Sequence, residues 1–202
     1  MQALRLAVTI CNYKIITNFS NMKIDYLQTP LKFNIIVSFR QLYERAFPAD
    51  ERRDFDLLLD IFAKSDGKFK VLVVKDDDGA FAGFLTFWEW DDFVYGEHFA
   101  VEEAMRGRKI GEQVLRHFIA LTSKPVVIEV EPPVAGDITE KRVRFYERNG
   151  GVLHAGYRYI QPPYSPDRHS LELNLMTFGA PVTEAILDKM VARIHREVYG
   201  VK

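Results

Sequence analysis

Between Arg106 and Gly111 the chain sets two arginines, a lysine and two glycines within six residues, directly ahead of an apolar helical pattern. The chemistry that suits such a stretch is anion binding. Free backbone N–H groups and the positive end of a helix dipole face the turn, and Arg106, Arg108 and Lys109 add charge. The turn lacks the glycine spacing and the Lys-Ser/Thr pair of a nucleoside-triphosphate phosphate loop. It also lacks the three spaced glycines of a dinucleotide fingerprint. Which anion it holds is therefore open at this level, and an ordinary helix start is the competing reading.

The elements that must position this turn are legible on both sides. Tyr95 to Val101 is rich in aromatic and β-branched residues and free of proline, as expected for a buried strand. Behind the turn, Val114 and Phe118 lie four apart, as do Leu115 and Ile119, which puts two apolar ridges on one helix face. Upstream, Lys23 to Leu27 reads as a strand, and Phe33 to Phe47 as a helix with Ile36, Phe39, Leu42, Tyr43 and Phe47 inward. Pro48 to Arg53 is a polar joint, and Phe55 to Phe62 a second helix. Phe69 to Val74 and Phe81 to Trp90 are strands around the turn at Asp76 to Gly79. Downstream, Val126 to Glu131 is a strand with Val127, Glu129 and Glu131 on one face. Ile138 to Arg148 is a helix stopped by Asn149-Gly150-Gly151. Val152 to Tyr159 and Ser170 to Met176 are the last strands. Val182 to Tyr199 is an amphipathic helix with Ile186, Met190, Ile194 and Val198 in a stripe, packed on the domain or used in a dimer.

Alternating strands and helices without repeats or linkers predict a single α/β layered domain over 22–202, including the C-terminal helix over 182–199. Residues 1–21 read as an N-terminal extension without function, since Met22 opens a second plausible start. A cytoplasmic protein is expected rather than a secreted one. The 202 residues carry a net charge of −1, which argues against a protein built to neutralise nucleic-acid phosphates. A lone cysteine, Cys11, excludes an internal disulfide framework, and the five histidines show no paired spacing, so no metal is expected. No apolar run approaches the roughly 20 residues of a membrane span.

Two segments then resemble one family. Val101 to Gly111 is similar to the acyl-CoA loop of the GNAT N-acetyltransferase superfamily, whose pattern is Arg or Gln, two residues, Gly, one residue, Gly or Ala. Arg106 and Gly111 match its ends, while Lys109 stands where the first Gly is usual. Arg144 to Gly151 resembles the family's Phe-Tyr-Glu-x-x-Gly-Phe helix end, with Gly151 in place of the aromatic. Thr139 and Arg142 stand where the family often has Asn and Ala. The order of elements agrees over roughly Lys23 to Met176.

The resemblance implies a mixed, mostly antiparallel sheet of about six to seven strands flanked by helices. It implies acetyl-CoA as acyl donor and a primary amine, on a small molecule or peptide, as acceptor. No nucleic acid or membrane partner is implied, and a homodimer is possible. Phe99, Ala100 and Val101 would pair with the pantetheine arm as an added strand. Arg106, Gly107, Arg108, Lys109, Ile110, Gly111 and Glu112 would hold the pyrophosphate, chiefly through main-chain groups. Tyr146 would protonate the departing thiolate, or else is a core tyrosine. Glu97 is the first candidate for the base, read as sharing a face with Tyr95, Phe99 and Val101 and opposite His98. Glu129, Glu131 and a water relay are its rivals. Trp90 with Asp91 and Asp92 is a candidate mouth for a cationic amine. The rival to an enzyme is a non-catalytic acyl-CoA-binding or sensing module of the same fold.

Overall fold

The central strands are apolar along most of their length, so each supplies one row of buried side chains to either face of a sheet. In the computed structural model, which describes residues 22–201, those rows pack into two separate cores. The expected extension over 1–21, with Cys11, lies outside the described residues. Along the chain come β1 (Lys23–Tyr26), α1 (Phe33–Ala46), α2 (Phe55–Lys64), β2 (Phe69–Lys75), β3 (Phe81–Glu89) and β4 (Val94–Val101). They are followed by α3 (Ile110–Ala120), β5 (Val126–Val130), α4 (Ile138–Arg148), β6 (Val152–Leu153), β7 (Tyr159–Gln161), β8 (Leu171–Phe178) and α5 (Glu184–Glu197).

The sheet runs β1-β2-β3-β4-β5-β8-β6, with β7 also on β8, which makes eight strands. All pairs are antiparallel except β4 with β5. On one face, Phe69, Val71, Phe84, Trp88, Tyr95, Val127 and Leu175 pack against α1, α2 and α5. On the other, Leu72, Leu85, Phe87, Ile128, Met176 and Phe178 pack against α3 and Val143 of α4.

Helix ends follow local chemistry. Asp54 caps α2 by accepting from the Asp56 amide at 2.8 Å, and Asp137 caps α4 through the Thr139 amide at 3.0 Å. The inward stripe of α5 is Leu187, Met190, Ile194 and Val198. Ile186, expected in that stripe, is exposed instead. Both residues fit a period near 3.6, and packing against the sheet selects the face centred on Leu187. Likewise Ile35, not Ile36, is the fully buried member of α1's first turn. Among the described residues no helix is long and apolar enough to cross a membrane.

Candidate active site

β4 and β5 pair only over Val94–Gly96 against Val126–Ile128. Beyond that point the strands part, and the gap opens into a cavity of about 590 Å³. Phe99, Ala100 and Val101 line it from β4, Glu129 and Val130 from β5, and Phe145 and Tyr146 from α4. Arg106 stands in its wall as well. Parallel strands that part leave main-chain groups without a ladder partner, and an extended amide chain can supply one.

The turn after β4 continues from Arg106. Gly107 has φ +79° and Lys109 has φ +59°, so Lys109 takes the left-handed conformation where the family pattern has glycine. The bend is made all the same, at a cost of about 1–2 kcal/mol for a residue with a Cβ. Lys109 is also the N-cap of α3 and offers no side-chain acceptor to the first amides. Those N–H groups remain open to an external anion. Gly107, Arg108 and Lys109 are exposed and do not line the cavity, and neither do Gly111 and Glu112. Ile110 turns its side chain into the core, leaving only its main chain for a ligand. Arg108 faces a second, smaller cavity with Asp76, Asp77 and Asp78.

A β-bulge sits at the centre of the site. Thr86 of β3 opposes His98 and Phe87 opposes Gly96, so Glu97 is the extra residue on β4. The bulge resets the side-chain parity that a regular strand predicts. Phe99 and Val101 pack into the core on the α3 side, whereas Tyr95 belongs to the core on the α1 side. Glu97 shares only the Tyr95 face. His98, expected on the opposite side, is on that face too, between the rings of Tyr43 and Phe47 at 5.0 and 4.8 Å. Its Nε2 donates to the Glu51 carbonyl at 2.9 Å.

Glu97 is not the free carboxylate that a proton acceptor requires. Its side chain is 0% exposed and forms an ion pair with the equally enclosed Arg53. Trp88 Nε1 donates to it at 3.3 Å and the Tyr164 hydroxyl at 3.2 Å. Burial pushes its carboxyl up, but the Arg53 guanidinium and His98 outweigh burial and bring it down to about 2. A carboxylate held there has little pull on an ammonium proton near neutral pH. Because the residue as a whole keeps some exposure while its side chain has none, what Glu97 shows to the cavity is main chain.

Glu129 is placed differently. It accepts hydrogen bonds from the hydroxyls of Tyr159 and Tyr199, the latter at 2.9 Å to Oε2. Burial raises its carboxyl above the usual range, although those hydroxyls and that of Tyr95 pull it back. No cation pairs with it among the described residues. Glu131 is paired with Arg142, and Glu51 is raised by burial and by Glu131.

Tyr146 sits in the last turn of α4 and lines the cavity, its ring against Phe145 and Phe178. Burial raises its hydroxyl, partly offset by Arg142, so the phenol stays protonated at neutral pH. Gly151 follows because a Cβ there would lie 2.9 Å from Phe178 and 2.9 Å from the Tyr146 carbonyl.

The expected aromatic mouth is absent. Trp90 is buried and donates through Nε1 to Glu197 at 2.7 Å, and Asp92 pairs with Arg193 at 2.6 Å. Tyr199 escaped sequence reasoning, while Arg53 and Tyr159 bound the two segments, Pro48 to Arg53 and Tyr159 to Tyr164, that the family resemblance associates with the acceptor, without a role of their own. Arg53 lay in a polar joint and Tyr199 at a helix end, and neither position signals burial beside a carboxylate.

The acetyltransferase (GNAT) family matches residues 36–150. “Putative acetyltransferase YjbC” of Bacillus subtilis (strain 168) is 33% identical over 103 residues, which is 49% of this chain. That match spans 46% of the relative, so the chain covers about half the length of the curated relative it matches. A Bacteroides thetaiotaomicron structure with the same description, as a GNAT-family member, is 33% identical with a TM-score of 0.74. It aligns over 82% of this chain and 92% of its own. A Vibrio cholerae spermidine N-acetyltransferase, in complex with CoA and spermine, shares the fold at 14% identity and a TM-score of 0.58. That alignment covers 79% of this chain and 96% of the other.

Proposed function

Because the chain belongs to the acetyltransferase (GNAT) family, we propose that it transfers an acetyl group from acetyl-CoA to a primary amine by direct attack in a ternary complex. The observation that carries this reading is the parting of β4 from β5, with Tyr146 and Glu129 lining the one cavity it opens. The donor's extended amide arm pairs with the β4 edge from Phe99 to Val101. Its pyrophosphate sits on the main-chain amides of Gly107 to Glu112, with Arg106 beside it.

The amine loses its proton to Glu129, the unpaired carboxylate in the cavity wall, and its lone pair attacks the thioester carbonyl. Main-chain donors at the Glu97 bulge steady the charge on the carbonyl oxygen, and Glu97 itself, locked to Arg53, holds the bulge in shape. As the tetrahedral intermediate collapses, the C–S bond breaks, Tyr146 gives its proton to the thiolate, and the second proton of the nitrogen returns to the Tyr146 phenolate. Amide and free CoA leave, and Glu129 re-equilibrates with solvent. A cytoplasmic setting, where acetyl-CoA is made, belongs to this reading.

The test is CoA release from acetyl-CoA with a panel of amines, including spermidine, small primary amines and peptide N-termini. Turnover with at least one amine, lost in Tyr146→Phe and in Glu129→Gln, is expected. Acetyl-CoA binding without turnover for every amine would instead make the chain an acyl-CoA-binding module. No binding at millimolar acetyl-CoA would sink both readings.

A further inference from the structure

α5 lies beyond the residues matched to the family, yet Tyr199, just past its end, reaches Glu129 in the cavity wall. Its inward stripe is locked into the core on the α1 side, and Trp90–Glu197 and Asp92–Arg193 pin its outer edge. One turn on, the Tyr199 amide bonds to the Ile194 carbonyl, which fixes where its ring goes. The Tyr199 hydroxyl then lies 2.9 and 3.2 Å from the two Glu129 oxygens, 3.1 Å from the Tyr95 hydroxyl and 3.4 Å from that of Tyr164.

A phenol has one proton to give. If Tyr199 spends it on Glu129, its oxygen can only accept from the Tyr95 hydroxyl, and Tyr164 is free to donate to Glu97. The hydroxyl chain therefore runs toward Glu129, where Tyr159 also ends. The other charged groups around Glu129 are accounted for. Glu97 on β4 is neutralised by Arg53, and Glu131 on the same strand by Arg142. Glu51 lines the cavity, and His195 of α5 touches the rings of Tyr159 and Tyr199 without a hydrogen bond to Glu129.

We propose that the C-terminal helix is part of the active site, with Tyr199 the positioning residue that orients Glu129 and keeps it in the form that accepts the amine proton. This rests on the reading of Glu129 as proton acceptor. A hydroxyl donating to a carboxylate favours the charged form, so its removal raises the pH at which Glu129 becomes a carboxylate.

Tyr199→Phe deletes that hydroxyl alone. Two readouts apply: the acid limb of kcat/KM for CoA release with the best amine of the panel, and a carbon-13 carboxyl titration of Glu129, which needs no acceptor. Both midpoints are expected to rise by about one pH unit, with kcat/KM below the limb falling about tenfold. Tyr157→Phe, which cuts only the α5 contact to Asp188 at 2.8 Å, is the control for packing and is expected to leave both in place. An unchanged Glu129 titration in Tyr199→Phe overturns the proposal, as does an equal shift in Tyr157→Phe. Full activity of Glu129→Gln would instead remove Glu129 from the reaction, a separate failure that leaves the titration to report on Tyr199 alone.

Discussion

Replacing Arg53 by methionine keeps the bulk of a buried side chain and takes away the guanidinium ion-paired with Glu97. The loss can be sized from the carboxylate itself. Against an ordinary value of 4.5, Glu97 sits at about 2. At ~1.4 kcal/mol per pH unit, that difference is about 3 kcal/mol of stability. It falls in the ~3–5 kcal/mol expected when one member of a buried pair is removed. The folded-state value is depressed, so the contribution is fully present above the usual carboxylate range and is lost as pH falls toward about 2. In Arg53→Met the buried carboxyl loses its guanidinium partner, its value rises, and its cost grows as pH increases. Urea midpoints of wild type and variant should therefore lie furthest apart at neutral pH and approach each other at about pH 3–4. Arg53→Met with Glu97→Met should recover most of the loss, because Arg53 Nε is buried without a partner and its desolvation is not repaid there. A gap that stays constant with pH, or one below about 1 kcal/mol at neutral pH, would refute the account of Glu97 as a locked carboxylate.

Three further outcomes follow from the same geometry. Tyr146→Phe should lower kcat by about 100-fold or more while leaving the KM for acetyl-CoA within about twofold, measured by steady-state CoA release. Lys109→Gly should raise stability by about 0.5–1 kcal/mol in urea unfolding, because it relieves the left-handed backbone, while glycine's freedom in the unfolded chain returns part of the gain. Gly83→Ala should destabilise by about 1–3 kcal/mol and weaken acetyl-CoA binding by calorimetry. Its Cβ would stand 2.6 Å from the Ala100 carbonyl, so β4 must shift along the edge proposed to pair with the donor.

Much of this fold could be read from the chain alone because its signals are local. Helix α4 begins and ends where Ile138 and Arg148 predict, since Asp137 and the Asn149-Gly150 pair punctuate it. The alternation of Phe84 and Trp88 against Leu85 and Phe87 sorts β3 correctly between the two cores. The parity of Glu97 could not be read, because a bulge is set by the partner strand and leaves no mark in the residues that bear it. The tyrosine network was equally hidden. It joins β4, β5, β7, the loop after it and the end of α5, so its residues come from positions up to 104 apart in sequence. Lys109 shows the reverse case: an unfavoured residue at a position whose backbone is dictated from both sides.

The short seam between β4 and β5 also has a mechanical meaning. Three residue pairs are all that join the β1–β4 leaf to the leaf of β5, β6, β7 and β8 along the sheet. Bending about such a seam breaks few hydrogen bonds, so the two leaves are compliant there and stiff elsewhere. A guest lying in the gap would bridge them and act as a splint. Amide exchange in β4 and β5 would then slow on acetyl-CoA binding far more than in β2 or β3.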